Sequence, residues 1–449
     1  MPDPKLVRQV EEALAELPIL DIHTHLVGEH LGAKGLHDIL LYHMVVSDLY
    51  SAGCPSGKRL TEYPGWPTRE EADARIEEAI PYLPFIRGTS SYWMVRRTLE
   101  GLYDWKEPIT ADNWRKLDAL IRERSEDRAW QLSILDRLNI QRTCTELARR
   151  ESGGDDERLQ YALEWAFFTR CQWGEFDTAL YELERCWGRE PESPTGIGSG
   201  GRPATERVIS TLADVHSAMQ HYVTSIPYEK LVSTATHIST DIHFRLVTEA
   251  EMESALERRS QASVEERDIY ASYINEIFLG ELEKRSDEIV FQFSLGAEPL
   301  PFETSSRISQ QTIAELGEII SRHPKLRFQC FLSSVHANQS LCTLARQLPN
   351  FSLAGFWWHN FFPTAMRHVL SERLDMVPLN KQIGFFSDAY CVEGSYGKAL
   401  MMRAQAGHVL AEKIEQGQYS FDEAISVART LVYDTPRSLN GMVPRSSDP

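Results

Sequence analysis

No stretch of this sequence approaches the ~18 uninterrupted apolar residues of a membrane-spanning helix. Residues 1–20 mix charges at helical spacing where a secretory leader would carry an apolar run. Cysteine is scarce and odd in number: Cys54, Cys144, Cys171, Cys186, Cys330, Cys342 and Cys391, with no C-x-x-C pair. That excludes a disulfide framework and a zinc ribbon, and a reducing cytoplasm is the expected compartment. Positive charge is in the minority, with Lys plus Arg 47 against Asp plus Glu 65 and a net charge of −18. Such a field repels phosphate backbones and anionic lipid headgroups, so neither nucleic acid nor a membrane is an expected partner. An anionic substrate would need local cations or a metal to reverse that field. Also missing are a glycine-rich phosphate loop after the first strand and any G-x-S-x-G elbow, which removes the usual nucleotide and serine-hydrolase signatures.

What is present is a chain of 449 residues, 42% apolar and 25% charged, enough to bury a large core. Eight short β-prone runs end in polar or ionisable residues and are separated by helical stretches: 18–25, 138–145, 162–170, 230–237, 289–295, 326–333, 351–357 and 382–388. Between them, Ile313, Leu316 and Ile320 share a helix face that Pro324 stops, and Thr248 with Glu251 and Ser420 with Glu423 read as capping boxes. Strands alternating with helices imply parallel pairing through crossovers. The spacing predicts an α/β fold, a (β/α)8 barrel of the TIM type with a helical insertion after strand 1; an open doubly wound sheet is the alternative. Residues 1–53 and 131–449 form the expected barrel and residues 54–130 a helical cap, with helical stretches at 68–80 and 113–130. The Gly/Pro/Ser run 191–204 reads as a lid or as plain surface linker.

The chemistry-bearing residues gather at the ends of these runs. In Asp21-Ile22-His23-Thr24-His25 the two imidazoles, two residues apart on a strand, point the same way, and in a parallel barrel this end faces the mouth. His23 and His25 can therefore bind one divalent ion, or form only a polar rim. Asp388 ends the eighth run, which neighbours the first in a closed barrel, so its carboxylate can complete that metal site and move a proton; its plainer role is a helix N-cap. His237, His243 and His336 follow the fourth and sixth runs as further ligand or proton-transfer candidates. Arg170 can clamp a substrate carboxylate or form a structural salt bridge. Of Trp357 and Trp358, one should face inward against a substrate ring and one outward against a helix.

This pattern resembles the amidohydrolase superfamily of metal-dependent barrels and, within it, the uronate (glucuronate) isomerases. Asp21-Ile22-His23-Thr24-His25-Leu26 is similar to the first-strand metal motif, and Gly35-Leu36-His37-Asp38-Ile39-Leu40 has the character of the segment that follows. Phe168-Thr169-Arg170 resembles the third-strand segment ending in a substrate-binding Arg, Gly355-Phe356-Trp357-Trp358-His359-Asn360 a G-x-x-W-W-x-N-like run, and Ile383-Gly384-Phe385-Phe386-Ser387-Asp388 the eighth-strand segment with its catalytic Asp. The resemblance implies one divalent metal ion, zinc, on His23, His25 and Asp388. It implies Asp388 and His237 as catalytic groups and Arg170, Trp357, Trp358, His359, Ser294 and Tyr390 around a small-molecule sugar acid or other carboxylate, and it leaves room for a homo-oligomer. The sequence departs from the pattern at four places: Tyr390 stands where the family has an Arg, Ser294 where it has a His, Thr236 before His237 where it has an Asp, and Met44 where a tyrosine is expected. The expected activity is interconversion of an aldose and a ketose sugar acid by proton transfer. The alternatives are a metal-dependent hydrolase of an ester, amide or lactone, a decarboxylase, or a catalytically silent binder of sugar acids.

Overall fold

The computed structural model describes residues 2–55, 68–147, 157–164, 180, 183–184, 186–187, 207–228, 231–238, 245–258, 261, 263–285, 289–297 and 308–442. The run 191–204, Cys171, Arg170 and His243 lie outside them. Eight parallel strands follow one another in chain order: β1 Ile19–Asp21, β2 Ile140–Glu146, β3 Leu159–Glu164, β4 Leu231–Ile238, β5 Val290–Leu295, β6 Arg327–Leu332, β7 Phe351–Ala354 and β8 Gln382–Ile383. Each overlaps one of the eight runs in the sequence, although β1, β7 and β8 stop several residues short of the run's polar end, and β3 begins three residues before its run, of which 165–170 lie outside the described residues.

The sheet is curled into a TIM-barrel-like shape, and side chains on its concave face record this. Gln292 of β5 donates to Gln329 of β6 at 2.8 Å and also reaches the carbonyl of Ile22, just beyond β1, at 3.4 Å, a contact across the bowl that a flat sheet could not make. Among the described residues no ladder joins the β1 and β8 spans themselves. Past their ends, however, Asp388 N–H donates to the His23 carbonyl (3.0 Å) and His25 N–H to the Ala389 carbonyl (2.8 Å). The first and last strands thus meet where the ionisable residues are.

Helices form where the sequence caps them. The Thr248/Glu251 and Ser420/Glu423 boxes are both made, and others include Thr68 with Glu71, which opens Arg69–Ala79. The stretch 113–130 is two helices rather than one, Trp114–Ser125 and Arg128–Arg137, because the Asp127 carboxylate accepts from Trp130 N–H and starts a new helix. One large apolar cluster fills the space between sheet and helices. A second is built from residues such as Leu36, Leu49, Ile76, Leu99, Trp114 and Ile121, within the helical stretch between β1 and β2. Its helices therefore bury apolar faces against one another. The long helix Val392–Glu415, which follows β8, packs against both clusters through Val392 and Cys391 respectively. Among the described residues no helix is long and apolar enough to cross a membrane, and Cys144, Cys330, Cys342 and Cys391 are free thiols.

Candidate metal centre

Beyond Asp21 the chain stays extended, held on both sides: Thr24 N–H donates to the Cys144 carbonyl of β2 at 2.6 Å, and His25 N–H to Ala389. The alternation of an extended chain then buries Ile22 and Thr24 completely and turns His23 and His25 to the other face. Asp388 is placed against them. Its Oδ1 lies 3.1 Å from His25 Nε2 and 3.6 Å from His23 Nε2. His23, His25 and Asp388 offer one ligand atom each within 4.8 Å of one another. Ligand atoms ~2.1 Å from a tetrahedral zinc stand about 3.4 Å apart, a spacing that the 3.1 and 3.6 Å separations bracket. The three residues can hold a metal ion.

Neighbouring groups prepare them for it. Glu146, the last residue of β2, takes His25 Nδ1 at 2.5 Å, the carboxylate-to-imidazole contact that leaves the far nitrogen aimed at a metal. Burial disfavours a charge on His25, but Glu146 and Asp388 together outweigh it and raise this imidazole to about 9, so an ion would take the place of a proton on Nε2. Burial, aided by the positive neighbour His25, lowers His23 to about 4 and keeps it neutral. Burial would push Asp388 up, but Lys398, His25 and His23 hold its carboxyl well below the ordinary carboxylate range. Asp21 accepts Ser387 N–H at 2.9 Å, and complete burial nevertheless raises it to about 7. The Asp388 backbone is left-handed, φ 50, a conformation that costs an Asp on the order of 1 kcal/mol. It is not a helix cap, since the helix that follows, Val392–Glu415, has Cys391 as its N-cap.

The remaining candidates separate into three groups. Tyr390 stacks on His25, centroids 4.5 Å apart and planes within 17°. His237 and Ser294 are register partners on β4 and β5, with Nδ1 3.0 Å from Oγ, and the Trp357 ring lies 5.6 Å from His237. Phe331, in register with Ser294, brings its ring to 5.1 Å from His23 and so links the two groups. His359 sits farther along, its Nδ1 3.3 Å from Ser333 Oγ. The two tryptophans do not alternate on a strand as expected. Strand β7 ends at Ala354, and Gly355 (φ 47) turns the chain where a Cβ would stand 2.3 Å from the Phe386 ring. Trp357 remains extended, Trp358 enters a short 3-10 turn with φ 50, and both are buried. His336 is exposed on the helix Val335–Gln347, away from the histidine pair, because the helix starts immediately after β6 and turns it outward. The tyrosine near the centre is Tyr42, two residues before the expected Met44; Met44 packs in the apolar core.

Sequence reading missed three participants. Glu146 lay one residue past the assigned end of the second run and had a signal, an acid at a strand end. Tyr42 was passed over for Met44. Lys398 had none, being one lysine inside a long helix.

A curled eight-stranded parallel sheet with a His-His-Asp cluster at its carboxyl rim places the chain among TIM-barrel-like proteins with a metal-competent site. No family model matches the chain. The uronate isomerase of Thermotoga sp. (strain RQ2) is 28% identical over 100 residues, 22% of either chain, and that of Thermotoga maritima 27% over the same length, so the match spans about a fifth of these curated relatives. Among solved structures, glucuronate isomerase from Caulobacter crescentus superposes with a TM-score of 0.78 at 17% identity, covering 100% of this chain and 97% of its own. Uronate isomerase from Thermotoga maritima superposes with a TM-score of 0.75 at 16% identity over 98% of both chains. The chain is uronate isomerase-like in fold and strongly diverged in sequence.

Proposed function

We propose that this protein is a metal-dependent isomerase of uronate-type sugar acids. The observation that carries the reading is the convergence of His23, His25 and Asp388 at the strand ends of a uronate isomerase-like fold. Two imidazoles and a carboxylate suit zinc, and a divalent ion bound there would polarise and orient a substrate oxygen. The chain's own groups supply the rest. Ionised Asp388 takes the proton from the carbon beside the substrate carbonyl and delivers it to the former carbonyl carbon, while the adjacent hydroxyl proton passes to the carbonyl oxygen, so that aldose becomes ketose with no atom gained or lost. His237, oriented by Ser294, exchanges that hydroxyl proton. Trp357 offers a flat wall to the sugar, Tyr390 fixes the plane of the His25 ring, and Trp358 and His359 shape the turn behind them. Arg170 is assigned the substrate carboxylate, a local cation that a chain of net charge −18 needs for an anionic ligand. The helices of residues 54–130 are assigned as a cap that keeps water from the mouth.

Incubating the zinc- or manganese-loaded protein with glucuronate or galacturonate should yield the ketose, with solvent deuterium entering the carbon that receives the proton to the extent that Asp388 exchanges that proton with water. Absence of ketose from several uronates with metal bound would overturn this activity. Ser294 and Tyr390, standing where the resemblance puts a His and an Arg, favour a second reading, hydrolysis of an ester, amide or lactone; oxygen-18 from solvent would then enter the product.

A further inference from the structure

We propose that Lys398 is a positioning residue of the metal centre: from the helix Val392–Glu415 it clamps both the main chain and the carboxylate of Asp388, so that Oδ1 faces the two imidazoles. The inference rests on reading that cluster as a metal site and adds to it a group that never touches the ion.

Asp388 is held in a left-handed conformation, which persists only where its surroundings determine it. Its N–H is tied to the His23 carbonyl at 3.0 Å. Its carbonyl accepts from two donors, Lys398 Nζ at 3.3 Å and Tyr42 hydroxyl at 3.4 Å. Its carboxylate is shared: Oδ1 faces His25 and His23, and Oδ2 lies 3.6 Å from Lys398 Nζ. Lys398 therefore acts on the backbone that sets the direction of the side chain and on the oxygen that must turn away for the other to point at an ion.

The lysine is itself tightly placed. It is 3% exposed, its ammonium donates to the Tyr42 hydroxyl at 2.5 Å, and it lies 4.8 Å and 5.2 Å from the ring centroids of Tyr42 and Phe361. A lysine normally extends its head group to water, and an ammonium kept inside needs acids beside it. Asp388 and Asp21 are those acids. Its helix cannot drift: a Cβ at the preceding Gly397 would stand 2.4 Å from Thr98 Oγ1, so this turn presses against the helix Ser90–Tyr103. A buried pair serving stability alone would not need the Asp388 carbonyl, nor a tyrosine bridging the two.

Zinc binding to the full chain is measured by calorimetry for wild type, Lys398→Met, Tyr42→Phe and Lys413→Met, with crystal structures of the first two. Lys413, also 3% exposed and paired with Asp375, controls for loss of a buried ammonium away from the site. Lys398→Met should bind zinc about 10- to 100-fold more weakly, the usual effect of removing a group that orients a ligand, and its Asp388 should leave the left-handed region. Tyr42→Phe should show a smaller loss, and Lys413→Met should lose stability while keeping wild-type affinity. Wild-type affinity in Lys398→Met, or an unmoved Asp388, would overturn the proposal. If Lys398→Met does not fold, Lys398→Arg and Tyr42→Phe decide: the wider guanidinium should weaken binding, and wild-type affinity in both would refute the role. A wild-type protein that binds neither zinc nor manganese would refute the metal reading instead, and the pose of Asp388 in the Lys398→Met structure would still test the clamp.

Discussion

His25 stands between two carboxylates, Glu146 on Nδ1 and Asp388 on Nε2, and the two have different work. Asp388 would share an ion with it, whereas Glu146 sets the tautomer and plane of the ring, aided by Tyr390 stacked on its face. Removing only the charge of Glu146 should leave the three ligand atoms in place and loosen the ring that carries one of them. Glu146→Gln is expected to weaken zinc affinity about 10- to 100-fold, read by calorimetry. At this scale the sequence was informative where a local pattern carried the chemistry. The H-x-H spacing alone predicted that His23 and His25 point together. It was silent where chemistry came from elsewhere in the chain, as with Lys398, which local pattern cannot distinguish from a surface lysine.

Between elements, the caps were readable because a capping box lies within four residues, whereas pairings between helices were not. Glu276 on Val264–Glu283 takes Arg322 through two bonds, 2.9 and 2.8 Å, and His323 Nε2 at 3.3 Å, joining that helix to the end of Gln310–Arg322. Burial would raise Glu276, but His323 and Arg322 more than compensate and lower it from 4.5 to about 2. A folded-state value below the unfolded one stabilises the protein above about pH 4.5 and loses that contribution as pH falls towards 2. Glu276→Gln should therefore unfold earlier than wild type in urea at pH 7, and the gap should shrink as the pH is lowered through that window. A gap independent of pH would exclude the charge as its source. The tryptophan pair teaches the same lesson: β7 stops before Gly355, a glycine because Phe386, thirty-one positions further along the chain, fills the space its Cβ would need. No property of the local run records that ring.

Across the whole molecule, the site joins the two ends of the sheet: the segment after β1 and the segment after β8 are linked by backbone bonds and converge on the same ligand atoms. An ion bound there ties together parts of the chain that separate on unfolding, so binding free energy adds to stability by mass action, about 2.7 kcal/mol at a hundredfold excess over Kd. Zinc or manganese should raise the thermal midpoint by a few °C and a chelator should reverse it, while His23→Ala with His25→Ala should show neither shift by calorimetry. An equal shift in that double variant would place the ion elsewhere.

Number, order and type of the strands, and the two imidazoles that share a direction, follow from the sequence by itself, because apolar periodicity and side-chain alternation act over a few neighbouring residues. Only the tertiary structure decided that Glu146, Tyr42 and Lys398 complete the setting of Asp388, that His336 faces solvent and that a glycine ends β7. Those outcomes depend on contacts between residues distant in the chain, which arise when the sheet curls and brings its first and last strands together.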